Sequence, residues 1–352
     1  MTMLIRTLLA AGAILAAGAA HAATPGESLA AAQKVNPQIF SQGDDPYLDH
    51  HVAYPGGVTG LPDLTYQILP GWRPMKLDLY LPPASFKGPR PTVVFIHGGG
   101  WTGGGPRLSG AFDNWPSVLA AMSARGYVVA AVSYRFSGEA PSPAAIQDVK
   151  AALRWLRANS TKYRVDKARV MTWGGSAGGQ LAALAATSCG VAALEPASPG
   201  GASNANVEKQ TAGTAPAAVE SDCVQGAVTW YGIFDFRTMP LNRRPAPYLG
   251  CGEGACSEEQ LRQPSAAAYV SAKSPPMLMI HGSVDTTVPV AQSQDFQKTL
   301  QGAGVRSELL VIPEVNHSFI GKTPEATRAA SRLALARTVD FIDSVIGDGR
   351  RP

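Results

Sequence analysis

The chain has 352 residues, of which 45% are hydrophobic and 16% charged, and its formal net charge is +4. That length and apolar content support a large packed core and exclude a disordered chain. The basic residues are scattered and form no stripe interleaved with aromatics, which excludes nucleic-acid binding as the main function.

Residues 1–22 stand apart from the rest. Arg6 precedes the apolar run L-L-A-A-G-A-I-L-A-A-G-A-A, and Ala20-His21-Ala22 fits a small-x-small cleavage site, so the stretch reads as a secretory signal peptide. The run is shorter than the ~20 residues of a spanning helix, and no later run is long enough to span a membrane. The expected location is therefore the periplasm or the medium, with 23–352 as a single mature domain.

Residues 23–60 are polar and turn-rich, without periodicity. L-T-Y-Q-I-L and M-K-L-D-L-Y-L alternate as half-buried strands do, and form a hairpin across L-P-G-W-R-P. P-T-V-V-F-I-H is a continuous apolar run, as in a strand buried on both faces. Residues 115–125 read as a helix and Y-V-V-A-A-V-S-Y as the next buried strand. A helix follows with Ile146, Val149, Leu153 and Leu156 on one face. A-R-V-M-T-W is again a strand, and Q-L-A-A-L-A-A the helix after it. G-A-V-T-W-Y-G, P-P-M-L-M-I-H-G and S-E-L-L-V-I-P complete the series. Strand and helix alternate, which predicts a mostly parallel sheet of about eight strands with helices on both faces. Two irregular stretches interrupt it: an excursion at 191–222 and a candidate small lid at 237–270.

Export permits disulfides, and sequence proximity favours Cys189–Cys223 and Cys251–Cys256 among the three possible pairings. Closing the excursion by the first contributes roughly 3–4 kcal/mol if unstrained. The cysteines lack the C-x2-C spacing of a zinc site, and no metal-ligand cluster stands out.

The chemistry centres on T-W-G-G-S-A-G-G-Q at 172–180. Four glycines surround Ser176 where a strand turns into a helix, as in a G-x-S-x-G elbow that pushes a nucleophilic hydroxyl out of the strand. In parallel sheets ligands bind beyond the carboxyl ends of strands, where Ser176 sits. A serine needs a base within hydrogen-bond reach. His21 leaves with the leader, His50 and His51 lie in the N-terminal arm, His97 precedes glycines, and His281 reads as a structural strand-end group. His317, in the loop after the last strand, is the expected base. Its orienting acid should fall between Ser176 and His317. Asp222, Asp235 and Asp285 are the aspartates weighed, and Asp285 has the right strand-end loop, with Asp235 second. H-G-G-G-W at 97–101 offers backbone N–H donors for an oxyanion: Gly99 and Gly100, joined by Ala177 after the nucleophile. Trp101, Tyr231 and Phe319 adjoin these motifs as pocket or core residues. Asp148 has no catalytic role.

H-G-G-G-W, G-G-S-A-G-G, H-G-S-V-D-T-T-V-P and N-H-S-F, in this order, resemble the α/β-hydrolase fold. Within it the chain is similar to secreted esterases grouped with bacterial feruloyl esterases, neighbours of the hormone-sensitive-lipase type. L-D-L-Y-L-P and D-V-K-A-A-L-R-W-L-R match as well, and the resemblance runs from about residue 50 to 345. It implies a cofactor-independent serine esterase with Ser176, Asp285 and His317 as triad. The substrates expected are short-acyl or aromatic esters, free or linked to polysaccharide. The excursion at 191–222 is longer than that family leads one to expect. A prolyl-oligopeptidase-type peptidase, a formamidase-like amide hydrolase and a non-catalytic binding protein are the rival readings. The first usually carries an N-terminal propeller, for which this chain has no room before its first strand.

Overall fold

The computed structural model describes residues 50–196, 220–252 and 256–347. The leader at 1–22, most of the excursion and the tip of the 237–270 stretch lie outside them. Nine strands form one sheet: β1 Val52–Tyr54, β2 Val58–Gln67, β3 Met75–Leu81, β4 Arg90–Ile96, β5 Val128–Val132, β6 Val165–Gly175, β7 Gly226–Trp230, β8 Met277–Gly282 and β9 Ser307–Ile312. Their order is β1-β2-β3-β5-β4-β6-β7-β8-β9. The β1–β2, β2–β3 and β3–β5 pairs are antiparallel. From β5 onward every pair is parallel.

Among the described residues the sheet thus has nine strands, in keeping with the expectation of about eight. The additional one, β1, has three residues and an exposed face. A strand so short has no room to show alternation, and it lies in the stretch read as irregular.

Side-chain alternation divides the core into two layers. On β4, Val94 and Ile96 point into one layer, while Val93 and Phe95 point into the other. The first layer is closed by α2 (Ala144–Ala158) and α4 (Ala177–Thr187); α1 is Trp115–Ser123 and α3 is Ser160–Tyr163. Ile146, Val149, Leu153 and Leu156 of α2 are all fully buried there. The second layer is closed by α1 and by the final helix, which contribute Trp115, Leu119 and Phe341. Continuous apolar strands fit this arrangement because both faces are covered.

Between β7 and β8 the described residues make short helical turns, among them α5 (Ala246–Leu249) and α6 (Glu258–Arg262). Ser257 and Gln260 close a capping box at the start of α6. Both expected disulfides are present, with Cα–Cα distances of 4.8 Å for Cys189–Cys223 and 5.0 Å for Cys251–Cys256. At the base of the excursion, fully buried Lys150 bonds to the Ser188 carbonyl at 2.6 Å and pairs with Asp222 at 2.7 Å. α7 (Ala291–Gly302) and α8 (Pro324–Ile346) complete the fold. No helix among the described residues is long and apolar enough to cross a membrane.

Candidate active site

Ser176 joins β6 to α4 at φ 55° and ψ −120°, a region that non-glycine residues rarely occupy. The strain is held by packing on every side. A Cβ at Gly174 would lie 2.3 Å from the Gly178 carbonyl oxygen, and one at Gly178 would lie 2.0 Å from that of Ile96. The corner is thus pressed against the end of β4, with no space for side chains. The Ser176 N–H donates to the Trp230 carbonyl at 2.8 Å, which ties the corner to β7.

The three separated residues Ser176, His317 and Asp285 meet at this edge. Ser176 Oγ is 3.0 Å from His317 Nε2, and His317 Nδ1 is 2.8 Å from Asp285 Oδ2. The other carboxylate oxygen of Asp285 accepts the N–H groups of Thr287 and Val288 at 2.9 and 2.8 Å. Burial opposes ionisation of this carboxyl, yet the bonds from His281, His317 and Val288 outweigh it and hold it well below the usual carboxylate range. An ionised Asp285 on Nδ1–H leaves Nε2 as the acceptor facing the serine hydroxyl, the arrangement needed for proton abstraction.

Of the alternative acids, Asp235 caps a turn and pairs with Arg237 at 2.7 Å, and Asp222 pairs with Lys150. His97 and His281 are buried at 1% and 0% exposure. His97 Nδ1 donates to the Gly98 carbonyl at 2.6 Å, and its ring stacks on Tyr134.

Gly98, Gly99 and Gly100 line one cavity with Ser176, His317 and Tyr231, of about 600 Å³. The φ angles of Gly99 and Gly100 are 120° and 61°, and no carbonyl among the described residues accepts their N–H groups. Gly98 comes close to the candidate nucleophile Ser176: a Cβ there would sit 3.4 Å from the serine Cβ. Ala177 begins α4, where backbone N–H groups have no partner within the helix. Trp101 turns away from the cavity, stacking on Tyr248 at 4.3 Å and donating to Gln180 Oε1 at 3.0 Å. Phe319 is buried in the core, whereas Tyr231 lines the cavity with its ring 4.7 Å from that of His317. None of the described residues of 237–270 lines this cavity.

Sequence reasoning missed the residues that hold the site. Asn316 Oδ1 accepts the N–H of His317 at 2.7 Å and that of Thr286 at 2.8 Å, joining the loops of His317 and Asp285. A Cβ at Gly282 would lie 2.3 Å from the Val315 carbonyl, so the same two loops touch through bare backbone. The Asn before the histidine and the Gly before the acid were legible as residues, but their partners are about thirty positions away.

A family profile designated BD-FAE matches residues 77–300. Among curated proteins, the chain is 30% identical to esterase LipQ of Mycobacterium tuberculosis over 285 residues, covering 79% of this chain and 61% of that protein. It is 30% identical to esterase LipC of the same organism over 264 residues, covering 72% and 57%. The chain thus spans less than two thirds of the length of these relatives. Among solved structures, a truncated carbohydrate esterase from gut microbiota superposes with a TM-score of 0.64 at 23% identity, covering 86% of this chain and 99% of that one. The propionate-bound esterase Est2 of Thermogutta terrifontis superposes with a TM-score of 0.63 at 24% identity, covering 85% and 97%. At these identities the likeness concerns the fold, which is that of the α/β-hydrolases.

Proposed function

The chain belongs to the BD-FAE family, and from that premise we propose that it is an exported serine esterase acting through Ser176, His317 and Asp285. The observation that carries this reading is the unbroken hydrogen-bond chain from Ser176 Oγ through His317 to Asp285 Oδ2. Ser176 Oγ attacks the ester carbonyl carbon while His317 Nε2 takes its proton. The negative oxygen that forms is held by backbone N–H groups of Gly99, Gly100 and Ala177. Collapse breaks the ester C–O bond, and His317 returns the proton to the departing alcohol. Water then adds to the acyl-enzyme by the same steps in reverse roles, releasing the acid. Asp285 keeps the imidazole in the required tautomer and stabilises its cation.

The esterase names of LipQ and LipC support ester rather than amide bonds as substrate. Among the described residues the cavity lining has no Asp, Glu, Lys or Arg, in keeping with uncharged short-acyl or aromatic esters. The two disulfides favour an oxidising compartment. Hydrolysis of p-nitrophenyl esters from acetate to octanoate, beside the matching anilides, tests this reading. Turnover of esters well above anilides, with the Ser176→Ala enzyme slower by about a thousandfold or more, is the expected result. A folded wild type no faster than Ser176→Ala would exclude it.

A further inference from the structure

A second histidine stands behind the acid. His281, at the end of β8, is fully buried, and its Nε2 lies 2.9 Å from the Val288 carbonyl oxygen and 3.2 Å from Asp285 Oδ2. Both neighbours are acceptors, so this nitrogen carries the proton. Its Nδ1 meets Ser293 Oγ of α7 at 2.7 Å, which fixes the ring from the far side. Asp285 Oδ2 is therefore shared between two imidazoles, His281 Nε2 and His317 Nδ1. The groups acting on the carboxylate come from separate elements: His281 from β8, His317 from the loop after β9, and the Val288 N–H from the loop before α7. Tyr231, at the end of β7, faces the His317 ring, and from α7 the neutral Ser293 meets the His281 ring.

We propose that His281 is a positioning residue for the base: its Nε2–H, anchored by Val288 and Ser293, aims Asp285 Oδ2 at His317 and spreads the carboxylate's charge. The inference rests on the triad reading above. It has a distinctive sign. A donor on Oδ2 takes up part of the negative charge that would otherwise stabilise the His317 cation. Removing that donor strengthens the pull of Asp285 on the imidazolium, so the acid limb of the rate profile moves up. A ring that merely filled space would, on removal, leave the limb in place or loosen the pair and move it down.

The test measures kcat and KM for p-nitrophenyl acetate across the acid limb in wild type, Ser176→Ala, His281→Phe and His281→Gln. His281→Phe is expected to lower kcat about tenfold with KM little changed, and to raise the limb by about half a pH unit. His281→Gln, which can still present an N–H, is expected to restore the limb toward the wild-type position. A limb in His281→Phe that stays put or moves down overturns the proposal while leaving the triad intact. A wild type no faster than Ser176→Ala overturns the triad reading and this inference with it. Should His281→Phe fail to fold, 15N-histidine NMR of the wild type decides. The Nε2–H resonance of His281 must then shift across the pH range of the acid limb of the rate profile, and a resonance indifferent to it contradicts the proposal.

Discussion

The Ser176 corner and the stretch between β7 and β8 are built on opposite principles. At the corner, backbone meets backbone: Cβ atoms at Gly174 and Gly178 would fall 2.3 and 2.0 Å from carbonyl oxygens. Residue choice there is dictated by the absence of space. In the stretch from 237 to 270, side chains meet side chains. Tyr248 stacks on Trp101 at 4.3 Å and donates to Gln180 Oε1 at 3.2 Å, while Gln180 Nε2 donates to the Pro264 carbonyl at 2.7 Å. A few buried polar atoms hold this segment to the H-G-G-G-W loop and to α4. The corner can fail only by collision, whereas the neighbouring segment can lose one bond at a time.

Ways to break this contrast differ widely in size. Asp285→Asn should have the largest effect, about four orders of magnitude in kcat, because an amide favours the wrong imidazole tautomer. Steady-state kinetics near neutral pH check it. Gly178→Ala should cost roughly 3 kcal/mol, the upper range for overpacking, in urea unfolding. Gly103→Ala, where a Cβ would meet nothing within 4 Å, should stay within about 0.5 kcal/mol. Equal losses in the two would contradict the backbone-contact account.

Acid stability probes the loop that follows β4. Burial pulls His97 down from 6.5 to about 4, against the bond it makes to Gly98. Its Nε2 is buried without a hydrogen-bond partner among the described residues. As pH falls below 6.5 the unfolded chain takes up this proton first, so stability is lost between 6.5 and about 4 and not regained below. The loss amounts to about 3 kcal/mol, and His97→Gln should flatten that part of the stability profile measured by urea unfolding. Tyr248→Phe should cost only about 1 kcal/mol, because Trp101 still donates to Gln180 Oε1. A much larger loss would show that the segment is as tightly determined as the corner.

These differences also explain what the sequence could tell. Ser176 was legible because glycines on a strand-to-helix corner have few other uses. His317 and Asp285 were legible from their places after parallel strands, since a strand's carboxyl end fixes where its loop emerges. Lys150 and Asp222 pair across the base of the excursion, and Gln180 meets Trp101, over separations that no local pattern encodes. His281 reads as structural because it ends a strand directly before G-S-V-D. Its contact with Asp285 Oδ2 depends on the side-chain geometry of a turn, not on the spacing of the motif. β1 escaped notice because three residues cannot display a period.

The central claim is that Ser176 is the nucleophile and His317 makes it one. The most direct measurement is labelling of the folded protein with a fluorophosphonate, followed by peptide mass spectrometry. The expected result is one phosphonylated site, Ser176, with loss of fluoride and of ester hydrolysis in parallel, and almost no labelling in His317→Ala. Label on another residue, or full hydrolysis with Ser176 unmodified, would contradict the account.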